Sequence, residues 1–273
     1  MNKFFLYDKI GIIKFVGDIL KIIATDYDGT LNHGGIDEKK KKAISRWRKE
    51  GNIFSVISGR GAPDLIEIYK KDNFECDYLI ADNGAVIMKT DGEIVCEDKI
   101  DVSIAKPFLE FLFEQGCKWG YVQTSFPCRV FKDDDFEDYD EVECFIFEEL
   151  PKFPYVYQIN TALETFEEAE IVTSAIKEKF GNVLNPLQNG NCIDIVSVNM
   201  DKAKGIYKLI DLLGATYEDV ITVGDNINDK DMIKEFCSYA MKNAVPLIKE
   251  LADYETPGIT ELIEKELNIK LKP

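Results

Sequence analysis

Short apolar runs alternate with amphipathic stretches over the first eighty or so positions. Lys21–Thr25 (KIIAT), Ile53–Ile57 (IFSVI) and Tyr78–Ala81 (YLIA) are apolar on successive residues, the mark of strands covered on both faces. Between the first two, Ile36–Gly51 places Ala43, Ile44 and Trp47 at helical spacing and stops at a glycine, so it predicts an amphipathic helix. Between the second and third, SGRGAPDLIEIYKK predicts a helix with Pro63 at its start. This βαβ rhythm implies a parallel sheet with helices above and below.

The pattern changes at DNGAVIMKTDGEIVCE, where Asn83-Gly84 and Asp91-Gly92 are hairpin dipeptides around a short alternating run. The middle of the chain reads as α+β: a helix near Ser103–Glu114, strands near Trp119–Gln123 and Tyr155–Ile159, a helix over Thr165–Phe180 and a closing strand CIDIVSV. The acidic stretch Lys132–Glu143 has too few apolar residues for a core. It lacks the oxygen spacing and turn glycine of a hard-cation loop, so a solvated loop is expected. From Lys202 the first rhythm returns, with a helix ended by Gly214 and a buried strand Asp219–Val223. The expected organisation is a discontinuous α/β core, 1–83 and 195–273, around an α+β insertion at 84–194. Residues 1–20 form an N-terminal extension.

Composition narrows the function. The 273 residues carry a formal charge of −17, which argues against a nucleic-acid surface because phosphate neutralisation needs clustered Lys and Arg. The basic run after Glu38 is the solvated face of its helix. Asp8, Lys9, Lys14 and Asp18 interrupt the N-terminal apolar pieces, and no run approaches the roughly 18 to 20 residues of a membrane span. Seven scattered cysteines without a C-x-x-C pair suggest neither a zinc site nor a redox motif; they read as reduced thiols, and a reducing cytoplasm is expected.

In open α/β sheets, function gathers at the carboxyl ends of strands. Here the first strand ends in Asp26 and Asp28, the second in Ser58-Gly59, and the late one in Gly224-Asp225 with Asn228 and Asp229 beyond. Four carboxylates cannot all ionise together without a cation, and an all-oxygen cluster suits Mg²⁺. An aspartate oriented by the metal can attack phosphorus, and a second can serve as acid and then base.

These residues resemble the haloacid dehalogenase (HAD) superfamily, specifically its Cof-like phosphatases with a type IIB cap. The motifs that carry the likeness are DYDGT, SGR and GDNIND, in family order, with DNGA at the entry to the cap. The resemblance implies a Rossmann-like core, with Asp26 as nucleophile and Asp28 as general acid/base. It also implies a Mg²⁺ site from Asp26, the Asp28 backbone carbonyl, Asp225 and, through water, Asp229. Ser58, Gly59 and Asn228 are expected to hold phosphate. The cationic residue is a choice between Lys202 and Lys204 in DKAKG; the family spacing, three residues before Gly205, picks Lys202. His33 is read as a loop residue.

The expected activity is hydrolysis of small phosphate esters, sugar phosphates foremost, by a cytoplasmic monomer or small homo-oligomer. Two alternatives stand beside it. A phosphomutase of the phosphomannomutase type must bind a second phosphate in the cap, where Arg129 is the sole arginine between Gly84 and Asp194. A non-catalytic metabolite-binding protein is expected to have lost Asp26 or Asp28.

Overall fold

A computed structural model of the protein describes residues 5–7, 13–15, 21–124, 127–132, 143–149 and 155–270. Most of the N-terminal extension, and most of the acidic stretch expected to be a solvated loop, lie outside the described residues. In the extension, β1 (Phe5–Tyr7) and β2 (Ile13–Phe15) pair as an antiparallel ribbon.

β3 (Ile22–Asp26) is buried along its whole length. α1 (Glu38–Lys49) follows, capped by the Asp37 carboxylate on the Lys40 amide, and buries Ala43, Ile44 and Trp47 on one face. The Trp47 indole donates to the Ile53 carbonyl at 2.7 Å, which ties the helix to β4 (Ile53–Ile57). α2 (Ala62–Asp72) leads to β5 (Tyr78–Ala81), β6 (Val86–Met88) and β7 (Ile94–Glu97). β5 and β6, then β6 and β7, pair antiparallel, as the turn dipeptides predict. Their hydrogen bonds place β6 and β7 in the larger sheet. By that measure the second sheet begins later than the insertion expected from residue 84, because the turn at Asn83-Gly84 folds the chain back onto β5 before it departs.

α3 (Val102–Glu114), β8 (Trp119–Gln123), β9 (Cys128–Phe131), β10 (Glu143–Ile146), β11 (Gln158–Ala162), α4 (Phe166–Phe180), β12 (Leu184–Asn189) and β13 (Cys192–Ser197) build a second layer pair. The strand order is β10-β9-β8-β11-β13-β12. The strand expected at Tyr155–Ile159 starts later: Val156 only bridges Ile100, and the rings of Tyr155 and Tyr157 pack together 4.8 Å apart on the way in. Period-two alternation divides this sheet. Val122, Ile159, Ile193 and Ile195 join Phe108, Leu112 and Ile176 in an apolar core, while Tyr121, Gln123, Asn160 and Asp194 point the other way into a cleft.

The chain then returns through α5 (Lys202–Leu213), β14 (Val220–Gly224), α6 (Lys230–Glu235), β15 (Cys237–Met241), α7 (Pro246–Leu251), β16 (Tyr254–Thr256) and α8 (Ile259–Lys270). The larger sheet has the order β16-β15-β14-β3-β4-β5-β6-β7, parallel from β16 through β5. The chain leaves β3 toward β4 on one side and returns to β14 on the other. This reversal opens a crevice at the carboxyl ends of β3 and β14.

Candidate active site

Asp26 ends β3 and is almost wholly buried. The chain then turns sharply through Asp28 and Gly29, the latter at φ 81°; a Cβ on Gly29 would lie 2.4 Å from Asp225 Oδ2, so only glycine lets this loop approach the end of β14. Thr30 donates its hydroxyl to Asp225 Oδ1 at 2.8 Å, and Asn243 Nδ2 donates to the Gly29 carbonyl at 2.9 Å. The loop and the strand end are therefore held as one piece.

Lys202 opens α5, and its ammonium is fully buried between two carboxylates. It donates to Asp26 Oδ1 at 2.7 Å and to Asp229 Oδ1 at 2.6 Å. The other Asp229 oxygen accepts from the backbone N–H groups of Asp225 and Asn226. Lys204 takes no part: two residues on, its side chain leaves the helix on another face and pairs with Asp201 at 3.1 Å.

Burial pushes the Asp26 carboxyl up to about 8, with the Asp229 charge adding to the effect and Lys202 opposing it. Burial also works against the Lys202 charge, yet Asp229 and Asp26 outweigh it and hold the ammonium firmly protonated. Asp225 is raised by burial and then by Asp229. Asp26, Asp225 and Asp229 each bring an oxygen within 4.8 Å of the others. Three carboxylates against one lysine leave an excess of negative charge, and the donor set is all oxygen, so the residues fit a hard divalent cation. The Asp28 carboxylate lies outside this group. It forms a two-point ion pair with Arg60, at 2.7 Å from Nε and 2.8 Å from Nη2.

Ser58 is buried at the end of β4; its N–H is spent on the Ile80 carbonyl, while its hydroxyl oxygen accepts from the Arg60 N–H. Gly59 offers its carbonyl to Gln158 Nε2 at 2.8 Å. With Asn228 they line a cleft of about 350 Å³ that also reaches Asp26 and Asp28. His33 is exposed on the loop after Thr30, where the Lys40 ammonium donates to the carbonyls of Leu31, His33 and Gly35. Arg60 belongs to the SGR motif, but its pairing with Asp28 and the polar face of the second sheet escape a motif search. The alternating polar positions of GYVQ, QINT and CIDIV carry the signal for the latter, since a sheet buried on one face shows its other face to the site.

The crevice at a topological switch point, the acid cluster and the buried lysine define a hydrolase built on a Rossmann-like sheet. The sequence pattern of the haloacid dehalogenase-like hydrolase family matches residues 23–261, and the chain belongs to that family, as one of its phosphatases. It is 26% identical over 255 residues to the 5-amino-6-(5-phospho-D-ribitylamino)uracil phosphatase YcsE of Bacillus subtilis (strain 168), covering 87% of this chain and 90% of that one. Its fold matches SMU.1108c of Streptococcus mutans UA159 with a TM-score of 0.80 at 21% identity, over 91% of this chain and 99% of that chain. The HAD subclass IIB sugar phosphatase BT4131 matches with a TM-score of 0.73 at 21% identity, over 90% and 98% of the two chains. Among the described residues no helix is long and apolar enough to cross a membrane.

Proposed function

We propose that this phosphatase hydrolyses sugar phosphates or similar phosphorylated polyols, with Mg²⁺, through a phosphoryl group carried on Asp26. The observation that carries the reading is the Asp26 carboxylate held 2.7 Å from a fully buried lysine, within one cation's reach of Asp225 and Asp229. Asp26, Asp225 and the Asp28 carbonyl would hold the metal, with Asp229 behind them; when bound, it neutralises charge on the phosphoryl oxygens. An Asp26 oxygen attacks phosphorus and the bond to the leaving oxygen breaks, with Asp28 giving that oxygen a proton. Water then attacks phosphorus and Asp28 takes its proton. The bond from phosphorus to Asp26 breaks and phosphate leaves. Lys202 opposes the rise that burial and Asp229 impose on the nucleophile's carboxyl, and Ser58, Gly59 and Asn228 hold the phosphoryl oxygens.

The second sheet and its helices, within residues 84–194, act as a cap over this site. Among the described residues, the cap lines the cleft without a lysine or arginine: Tyr121, Gln123, Asn160, Asn189, Cys192 and Asp194 are uncharged or acidic. Arg129 lies over the rings of Trp119 and Tyr121 instead. Such a surface suits a hydroxylated leaving group and repels the second phosphate of a mutase. The test is phosphate release from a panel of sugar phosphates and nucleotides, with Mg²⁺ and with EDTA, in wild type and Asp26→Asn. Release should need the metal and vanish in the variant; release that persists in Asp26→Asn sinks the mechanism.

A further inference from the structure

On the cap side of the cleft runs a relay of side-chain hydrogen bonds that the phosphoryl chemistry leaves unused. Asp194 on β13 and Asn160 on β11 are cross-strand partners. Asp194 takes Asn83 Nδ2 at 2.9 Å on one oxygen and Asn160 Nδ2 at 2.5 Å on the other. A carboxylate only accepts, so both asparagines must turn their amide nitrogens toward it. Asn83 is held the same way from a second side, since its Nδ2 also donates to Gln158 Oε1 at 2.8 Å.

This fixes the next amide along. With its nitrogen committed, Asn160 presents Oδ1 to Gln123, whose Nε2 donates to it at 3.4 Å. Gln123 is left with Oε1, which has no hydrogen-bond donor among the described residues, although the side chain is 4% exposed and lines the cleft. The amide packs against the Gly61 backbone at the wall of the cleft: a Cβ there would lie 2.2 Å from Gln123 Oε1, so only glycine lets the side chain sit in this position. A buried acceptor without a donor is costly, and the cleft is where a donor can come from.

We infer that Gln123 is a specificity-determining residue whose Oε1 accepts a hydrogen bond from a hydroxyl of the leaving group, with Asp194 and Asn160 as positioning residues that keep the amide turned for this. The inference rests on the phosphatase reading above and deepens it. The favoured substrate class is the monophosphate of a neutral polyol. A carboxylate or second phosphate at this point would meet Gln123 Oε1 and Asp194, acceptors both.

The test uses the full chain with Mg²⁺ and two kinds of ester. One is a set of polyol monophosphates (ribose 5-phosphate, ribitol 5-phosphate, glucose 6-phosphate); the other is p-nitrophenyl phosphate, whose leaving group has no hydroxyl. The readout is the ratio of kcat/KM for the best polyol ester to that for p-nitrophenyl phosphate, in wild type, Gln123→Leu and Asp194→Asn. The ratio should favour the polyol ester in wild type and fall about ten- to a hundredfold in Gln123→Leu. Asp194→Asn, which frees Asn160 to turn over, should lower it in the same direction. A merely structural role would depress both esters together and leave the ratio where it was, and that result overturns the inference. A wild type without preference for any polyol ester overturns it too, while the phosphatase reading stands. If no ester is turned over, both fall.

Discussion

At the residue scale, burial decides which charges the fold tolerates and on what terms. Lys202 and Asp229 are wholly buried and satisfied by each other, by Asp26 and by backbone N–H groups. Asp82 is equally buried but poorly served: Oδ2 accepts from the Ala62 N–H at 3.1 Å, and Oδ1 has no partner among the described residues. Burial accordingly raises its carboxyl well above the usual range. A folded-state value above the unfolded one, about 3.9, means that its stabilising contribution is complete below that pH and is lost as pH climbs through the folded-state value. Asp82→Asn removes the charge, and asparagine suits the left-handed backbone at φ 51°. The variant should be more stable than wild type by about 1–3 kcal/mol at pH 8, with the gap closing toward pH 4. Urea midpoints at the two pH values measure this; a gap that widens on acidification would contradict the assignment.

At the element scale, α5 and the turn after β5 meet backbone to backbone. A Cβ on Gly205 would lie 2.5 Å from the Gly84 Cα, and one on Gly84 would lie 2.5 Å from the Asp201 carbonyl oxygen. Because Lys202 opens α5, this contact sets where its ammonium sits. Alanine at 205 gains about 1 kcal/mol of helix propensity, yet overpacking there costs about 1–3 kcal/mol. Gly205→Ala should therefore lower the urea midpoint and, by displacing the first turn of α5, reduce kcat as well. An unchanged kcat would show that the helix start is held by other contacts.

The same scale shows what could be read in advance. β3, β4, β5 and β14 were legible because a strand covered on both faces must be apolar throughout, and α1, α3 and α4 because one buried face imposes helical spacing. β9, β10 and β12 were not: β9 and β10 are short and flank the acidic stretch, and β12 carries Pro186 and amides in place of an apolar pattern. Pairing with neighbours makes them strands.

For the whole molecule, the acid cluster couples metal binding to stability. Asp225 and Asp229 come from the end of β14, Asp26 from β3, so a cation shared by them ties the two strands that flank the switch point. Whatever binds only the folded state stabilises it, by about 2.7 kcal/mol at a concentration a hundred times Kd. Melting in Mg²⁺ should thus lie above melting in EDTA, and Asp225→Asn should remove most of the difference. An equal Mg²⁺ shift in that variant would place the cation elsewhere.

The chain by itself determined which chemistry stands at which strand end. Apolar runs mark the buried strands, and Asp26, Asp28, Ser58, Asp225 and Asp229 come directly after them. That information is local, because burial on both faces and a polar strand end are written in consecutive residues. Tertiary structure alone decided who touches whom: Arg60 with Asp28, Lys202 with both Asp26 and Asp229, and the turning of Gln123 by Asp194 through Asn160. Those contacts join residues far apart in sequence, and they depend on strand order, on cross-strand register and on which face of a helix is buried. No local pattern of side chains encodes that combination.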